Sequence, residues 1–240
     1  MTRFLFDVDG TLTDARQKID PEFEDFMIEF CSANYVAFVT GSDKAKTVEQ
    51  LGELLFGLAD YSFNCAGNEV WHKGVLVQRN EWEPPAELML FFAELLAESK
   101  FQLPSGKSGR NVEARNGMVN FSVAGRNCTQ EDRKAYVAWD KSVSERVRFR
   151  ERIANKFPEF DVLIGGDTGL DIYPAGCGKE QVVDYLNAIE KEKTYYFGDQ
   201  IFPGGNDYKI AQRCDHSYRV KNWRETYETL AFLKETAFCE

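Results

Sequence analysis

A short apolar run that stops dead on acid is the most constraining feature of this chain: Phe4-Leu5-Phe6-Asp7-Val8-Asp9-Gly10-Thr11. Phe4 to Val8 has the length and composition of a buried strand, and Asp9-Gly10 ends it. Two carboxylates two residues apart on a strand are expected to point to the same face. At the C-terminal end of a strand they would sit where open α/β sheets bind ligands. Like charges so close resist joint ionisation, so one of the pair can hold a proton, and a nearby cation would relieve the repulsion. The bland alternative is an Asp-Gly turn after a buried strand.

The rest of the chain has to supply partners for that strand. Phe23, Phe26, Met27 and Phe30 recur at helical spacing behind Asp20 and Pro21, an N-cap and first turn. Tyr35–Val39 reads as a second strand, ending at Thr40-Gly41-Ser42-Asp43. Leu51, Leu54, Leu55 and Leu58 make a helical stripe, and Tyr61–Phe63 a third strand. Near the other end come a helix with Val182, Val183, Leu186 and Ile189, a strand Tyr195–Phe197 ending in Gly198-Asp199, and a strand at Tyr218–Val220. Strands alternating with helices predict a parallel sheet covered on both faces.

The middle breaks this rhythm at Glu83-Pro84-Pro85. A helix follows, carrying Leu88, Phe91, Phe92, Leu95 and Leu96. Asn111–Val123 alternates apolar and polar around Asn116-Gly117, a hairpin signal. Thr129–Phe157 reads as one charged helix, and Gly165–Gly169 as the turn of a second hairpin. The expected fold is therefore α/β, with residues 1–81 and 178–240 forming a core and residues 82–177 an inserted α+β domain.

Composition narrows the function. The chain has 240 residues, 43% hydrophobic, with a net charge of −10. That charge argues against nucleic acid or an anionic membrane as a main partner. No apolar run approaches a membrane span, and no leader-like segment precedes Asp7, so a cytoplasmic location is expected. The six cysteines (Cys31, Cys65, Cys128, Cys177, Cys214 and Cys239) form no CxxC pair and do not cluster with the two histidines. Reduced thiols are expected, not a zinc site or disulfide framework.

Three further segments add chemistry. Thr40-Gly41-Ser42-Asp43 offers main-chain N–H groups and a hydroxyl at the start of a helix, which suits phosphate; an ordinary N-cap would look the same. Lys179 stands at the start of a helix, against the macrodipole; a role facing carboxylates would explain it, and a solvated surface lysine is the alternative. Asp199 ends a strand as Asp7 does. Together with Asp7 and Asp9 it would complete an oxygen-only site, which suits Mg²⁺ over zinc.

Phe6-Asp7-Val8-Asp9-Gly10-Thr11-Leu12-Thr13, Lys179 and Gly198-Asp199 resemble the motifs of the haloacid dehalogenase superfamily. More narrowly, the chain resembles the eukaryotic-type phosphomannomutases over nearly its whole length. The likeness lies in Arg16-Gln17-Lys18-Ile19, Gly41-Ser42-Asp43, Glu113-Ala114-Arg115-Asn116-Gly117-Met118-Val119-Asn120, Gly125-Arg126-Asn127-Cys128 and Pro203-Gly204-Gly205-Asn206-Asp207-Tyr208. The resemblance implies a Rossmann-like core with an α+β cap. It implies that Asp7 is the nucleophile and forms an aspartyl-phosphate, with Asp9 as acid and then base. Mg²⁺ would be held by Asp7, Asp199 and the main-chain carbonyl of Asp9, while Lys179 and Ser42 hold the transferring phosphoryl group. Arg115, Arg126 and Arg133 would grip the distal phosphate and Asp171 the sugar, with Arg16 and Lys46 also in the substrate site. The implied reaction interconverts mannose 6-phosphate and mannose 1-phosphate, with hexose 1,6-bisphosphate as activator, and the implied assembly is a homodimer through the cap.

Four positions depart from the family pattern. Gly169 stands in place of a phosphate-binding serine, Gly178 in place of an aspartate, Ala66 in place of an asparagine and Thr40 in place of a glycine. Mutases and phosphatases share the step onto the nucleophile and differ in what takes the phosphoryl group next, a sugar hydroxyl or water. A Mg²⁺-dependent sugar-phosphate phosphatase is thus the alternative on the same scaffold, and a non-catalytic binding protein the third.

Overall fold

The apolar run at the N-terminus forms β1 (Thr2–Phe6), and every residue from Phe4 to Val8 is buried. A strand with no wet face belongs inside a sheet covered on both sides. The chain is described here by a computed structural model over residues 2–107 and 109–237; Cys239 lies outside these. It divides into two compact units, one of Met1–Arg79, Lys179–Pro203 and Asp207–Glu240, the other of Asn80–Gly178 and Gly204–Asn206.

In the first unit, β1 is flanked on both sides by parallel strands, β2 (Tyr35–Val39) and β10 (Lys193–Gly198). Beyond these lie β3 (Tyr61–Asn64) and β11 (His216–Arg219), also parallel. The full order is β11-β10-β1-β2-β3-β4-β5. The last two, β4 (Glu69–His72) and β5 (Val75–Arg79), run antiparallel and correct the expectation of a purely parallel sheet. All five residues of β5 are exposed, so it carries no alternation to reveal it. The turn that makes the hairpin does leave a trace. Lys73 (φ 48°) and Gly74 (φ 77°) are both left-handed, the conformation a two-residue hairpin turn demands.

Successive residues of β1 face opposite sides of the sheet. Phe4 and Phe6 pack with Phe23, Met27 and Phe30 of α1 (Pro21–Ala33), with Leu51 and Leu55 of α2 (Lys44–Leu58), and with Leu230 of the last helix. Leu5 packs on the other side with Val182, Val183 and Leu186, the stripe of the helix Gln181–Ile189. Asp20 caps α1, accepting a hydrogen bond from Glu22 N, and Pro21 supplies its first turn.

The second unit has a four-stranded antiparallel sheet in the order β6-β7-β9-β8, made from β6 (Val112–Arg115), β7 (Met118–Ser122), β8 (Phe160–Gly165) and β9 (Gly169–Pro174). One face carries Val119, Phe121, Leu170 and Ile172, which pack against α3 (Ala86–Glu98), α4 (Gln130–Val143) and α5 (Glu145–Lys156) through Phe92, Tyr136, Phe149 and Ile153. Phe92 stacks on Phe121 with ring centroids 4.6 Å apart. The register puts Glu113 opposite Asn120 and Asn120 opposite Asp171, so a polar row crosses the other face. The single helix expected over Thr129–Phe157 is two, broken at Ser144, which adopts φ 52° and ψ 43°. Asp140 stabilises the break by accepting from Arg146 N at 2.8 Å, the first turn of α5. Among the described residues no helix is long and apolar enough to cross a membrane.

Candidate active site

Where β1 and β10 end side by side, Asp7 N still donates to Phe197 O at 2.9 Å, which sets Asp7 and Asp199 just past neighbouring strand ends. Lys179 reaches the same place from the start of the helix Gln181–Ile189, and its side chain is only 2% exposed. Its ammonium donates to Asp7 Oδ1 at 2.5 Å and to Asp207 Oδ1 at 2.7 Å. Asp207 is the residue that sequence reasoning did not place in the site, although the Gly204-Gly205-Asn206-Asp207 turn stood out. Its carboxylate is fully buried.

Three carboxylates, Asp7, Asp199 and Asp207, bring ligand oxygens within 4.8 Å of one another. With one ammonium among them, full ionisation of the group would leave two negative charges uncompensated. Burial raises the Asp7 pKa well above the usual carboxylate range; Lys179 opposes this, while Asp207 and Asp199 add to it. Asp199 is raised as well, mainly by desolvation. Burial alone would lower the Lys179 pKa, but Asp207 and Asp7 more than offset it and hold the ammonium charged. A site of oxygen donors with surplus negative charge fits a hard divalent cation. Gly10 lets the loop after β1 approach closely: a Cβ there would lie 2.8 Å from Asp199 Oδ2, and the backbone has φ 85°.

Asp9 corrects the paired-carboxylate expectation. The strand ends at Phe6, so the alternation that would align Asp7 with Asp9 no longer applies. The Asp9 carboxylate turns instead to Gln50 Nε2, at 2.9 Å, and to Arg16 N, at 2.7 Å. The carboxylates that crowd Asp7 are Asp199 and Asp207. Gln50 is buried and also donates to Thr13 Oγ1, which fixes it against the loop.

The second phosphate-like motif is shaped by Thr40. Its hydroxyl accepts from Ser42 N at 3.1 Å, so that amide is engaged within the loop. Asp43 caps α2 by accepting from Lys46 N at 2.8 Å, and Lys46 Nζ pairs with Glu49 at 3.1 Å. The Ser42 hydroxyl makes no hydrogen bond among the described residues.

In the second unit the predicted arginines gather on one acid. Glu113 Oε2 accepts from Arg115 Nη2 at 2.8 Å and pairs with Arg126, and Glu113 Oε1 accepts from Arg110 Nη2 at 3.1 Å. Arg133 lies apart from these, with Nη1 3.5 Å from Thr168 Oγ1 and 3.9 Å from Asp167. Asp171 accepts from Asn120 Nδ2 at 2.7 Å.

These features have relatives. A haloacid dehalogenase-like hydrolase from Bacteroides thetaiotaomicron matches 97% of this chain and 99% of its own, with TM-score 0.63 and 11% identity, a likeness of fold. The core is thus an α/β core of the same Rossmann-like fold. A model of the eukaryotic phosphomannomutases matches residues 23–235. The chain is 39% identical over 221 residues to a probable phosphomannomutase from Caenorhabditis elegans, covering 87% of this chain and 85% of that protein. It is 34% identical over 217 residues to the phosphomannomutase of Saccharomyces cerevisiae, covering 87% and 84%. The chain belongs to the eukaryotic phosphomannomutase family. Membership in that family implies a divalent metal, and the donor set around Asp7 fits one.

Proposed function

We propose that this chain is a phosphomannomutase, interconverting mannose 6-phosphate and mannose 1-phosphate through a phosphoryl group carried on Asp7. The observation that carries this is the buried ammonium of Lys179 clamped between Asp7 and Asp207, next to Asp199. Lys179 occupies Asp7 Oδ1, so Oδ2, 3.4 Å from Thr11 Oγ1, is the oxygen that attacks phosphorus. As the Asp7–phosphorus bond forms, the bond from phosphorus to the sugar oxygen breaks, and Asp9 gives that oxygen its proton. In the return step Asp9 takes the proton of the other sugar hydroxyl, which attacks phosphorus and releases Asp7. Gln50 and Arg16 N hold the Asp9 carboxylate for both roles.

Mg²⁺, held by Asp7, Asp199 and the main-chain carbonyl of Asp9, would neutralise charge on the transferring phosphoryl group. Lys179 and the Ser42 hydroxyl supply donors to the same group, with Arg16 and Lys46 assigned to the substrate. Arg115, Arg126 and Arg133 take the distal phosphate, since planar guanidinium forks meet phosphate bidentately, and Asp171 takes a sugar hydroxyl. The active form uses hexose 1,6-bisphosphate as activator, and we assign it as a cytoplasmic homodimer joined through the second unit.

One observation favours a phosphatase instead. At Gly169 a Cβ would lie 2.6 Å from Asn120 Nδ2, so a serine at that position is excluded unless Asn120 moves. One hydroxyl contact to phosphate is missing, and a hydrogen bond to a charged group contributes about 1.5–3 kcal/mol. The assay follows both products from mannose 1-phosphate in Mg²⁺ and activator. Isomer should accumulate far faster than inorganic phosphate; fast phosphate release without isomer would defeat the mutase assignment.

A further inference from the structure

The ring of Tyr196, on β10, is fully buried in the cluster that holds Leu5, Val39, Phe63 and Ile210. Its hydroxyl donates to Asp207 Oδ1 at 2.5 Å. That oxygen is the one that also accepts from Lys179 Nζ at 2.7 Å. The other carboxylate oxygen, Oδ2, accepts from Gln200 N at 3.0 Å. Gly198 closes the cradle: a Cβ there would lie 2.6 Å from Asp207 Oδ2 and 2.9 Å from Tyr196 Cε1.

A carboxylate oxygen has two well-directed lone pairs. On Asp207 Oδ1, Lys179 takes one and Tyr196 the other. While the phenol donates, that oxygen has nothing left for a cation, and Asp207 can offer a metal only the second lone pair of Oδ2. A neutral phenol is a donor, and its oxygen lies within hydrogen-bond distance of Asp207 Oδ1.

We propose that Tyr196 is a positioning residue of the phosphoryl-transfer site. Its hydroxyl commits Asp207 to anchoring Lys179, so that the ammonium stays on Asp7 and Asp207 Oδ1 stays out of metal coordination. The proposal rests on the reading of Asp7 as nucleophile. A tyrosine serves here because its ring is fixed by the apolar core while its one polar atom reaches the charged cluster.

The test is Tyr196→Phe, which keeps the ring and removes only the donor. kcat is expected to fall about tenfold, with KM for mannose 1-phosphate within about twofold, because the loss affects transfer and not substrate binding. Calorimetric titration of Mg²⁺ into the metal-free variant, without substrate, should show binding about threefold tighter than in the parent, since Oδ1 regains a lone pair. A kcat unchanged within twofold would overturn the proposal. So would metal binding that weakens in step with kcat, the mark of a merely structural loss. Incorporating 3-fluorotyrosine in place of Tyr196 gives a stronger donor of nearly the same size, and metal binding should shift the opposite way; a shift in the same direction as Tyr196→Phe also overturns it. The metal titration needs no turnover, so it stands apart from the nucleophile assignment, which fails separately if Asp7→Asn keeps activity.

Discussion

The two polar centres of this protein are built with opposite charge patterns. In the first unit three carboxylates gather about one ammonium; Asp7, Asp207 and Lys179 lie deep in the fold and Asp199 is half-buried. In the second, Arg110, Arg115 and Arg126 converge on the single carboxylate of Glu113. One centre gathers carboxylates about a single ammonium and the other gathers guanidinium groups about a single carboxylate. They differ in wetness at the rim: the Arg110 side chain is 62% exposed, while those of Arg115 and Glu113 are 8% and 10% exposed. A dry cluster holds each member by the others, and losing one leaves a buried charge uncompensated. In a wetter cluster the members can substitute for one another, and water screens what is left. Effects of substitution should therefore be larger, and of more mixed sign, in the first unit.

The largest effect is expected from Asp7→Asn. Removing a nucleophile should cost at least about 10⁴-fold in kcat, measured by isomer formation. Stability should move the other way. The Asp7 pKa is raised in the fold, so its ionisation works against folding. That cost is absent below the ordinary carboxylate range and grows as pH rises toward the folded value. In EDTA, Asp7→Asn should melt higher than the parent, with a wider gap at pH 8 than at pH 5. Added Mg²⁺ should close the gap by stabilising the parent more. A variant that melts no higher at either pH would break the claim that the first centre stores unfavourable charge.

Arg126→Ala comes next. Losing one charge-assisted contact to phosphate, worth about 2–3 kcal/mol, should lower kcat/KM by roughly 30- to 150-fold. The metal-dependent rise in melting temperature should be untouched. Glu113→Gln sharpens the contrast from the other side. It removes the anion that competes for the three guanidinium groups, so KM for the sugar phosphate should fall by about threefold. An increase in KM would mean that Glu113 serves chiefly to hold the arginines in place.

The two centres were not equally legible. Asp7, Asp199 and Lys179 could be singled out because each stands where an acid or a lysine is locally out of place, at a strand end or against a helix dipole. Asp207 sits in a glycine-rich turn, where an aspartate needs no special explanation, and only the fold brings it under Lys179. The orientation of Asp9 lies outside what strand alternation can give, because the strand stops at Phe6. In the second unit the hairpins were plain from alternation and the Asn116-Gly117 turn. The convergence of Arg110 on Glu113 was not read, because a single exposed arginine in a polar loop resembles any solvated charge. The β4–β5 hairpin escaped for the opposite reason: it buries too little to leave a pattern.

The smallest effect concerns strain. Five described residues other than glycine adopt positive φ, and four of them, Arg16, Cys65, Ala66 and Lys73, belong to the first unit; only Ser144 is in the second. Ala66 (φ 59°, ψ 29°) is the one with no polar side chain to help it there. An L-residue in this conformation costs about 1–2 kcal/mol, and glycine escapes most of that while losing some stability through its freer unfolded chain. The Ala66 amide donates to Thr40 O at 2.8 Å and its carbonyl accepts from Gln181 Nε2 at 2.9 Å, so the strained turn ties the Thr40–Ser42 loop to the helix behind Lys179. Ala66→Gly should stabilise the protein by about 0.5–1 kcal/mol, raising the melting temperature by roughly 1–4 °C. If the turn is held by its neighbours, as a dry and mutually fixed centre requires, kcat should change by less than twofold. A gain in stability bought with a tenfold loss of kcat would mean that the strain itself sets the position of Ser42, and that the first centre depends on backbone tension as well as on charge.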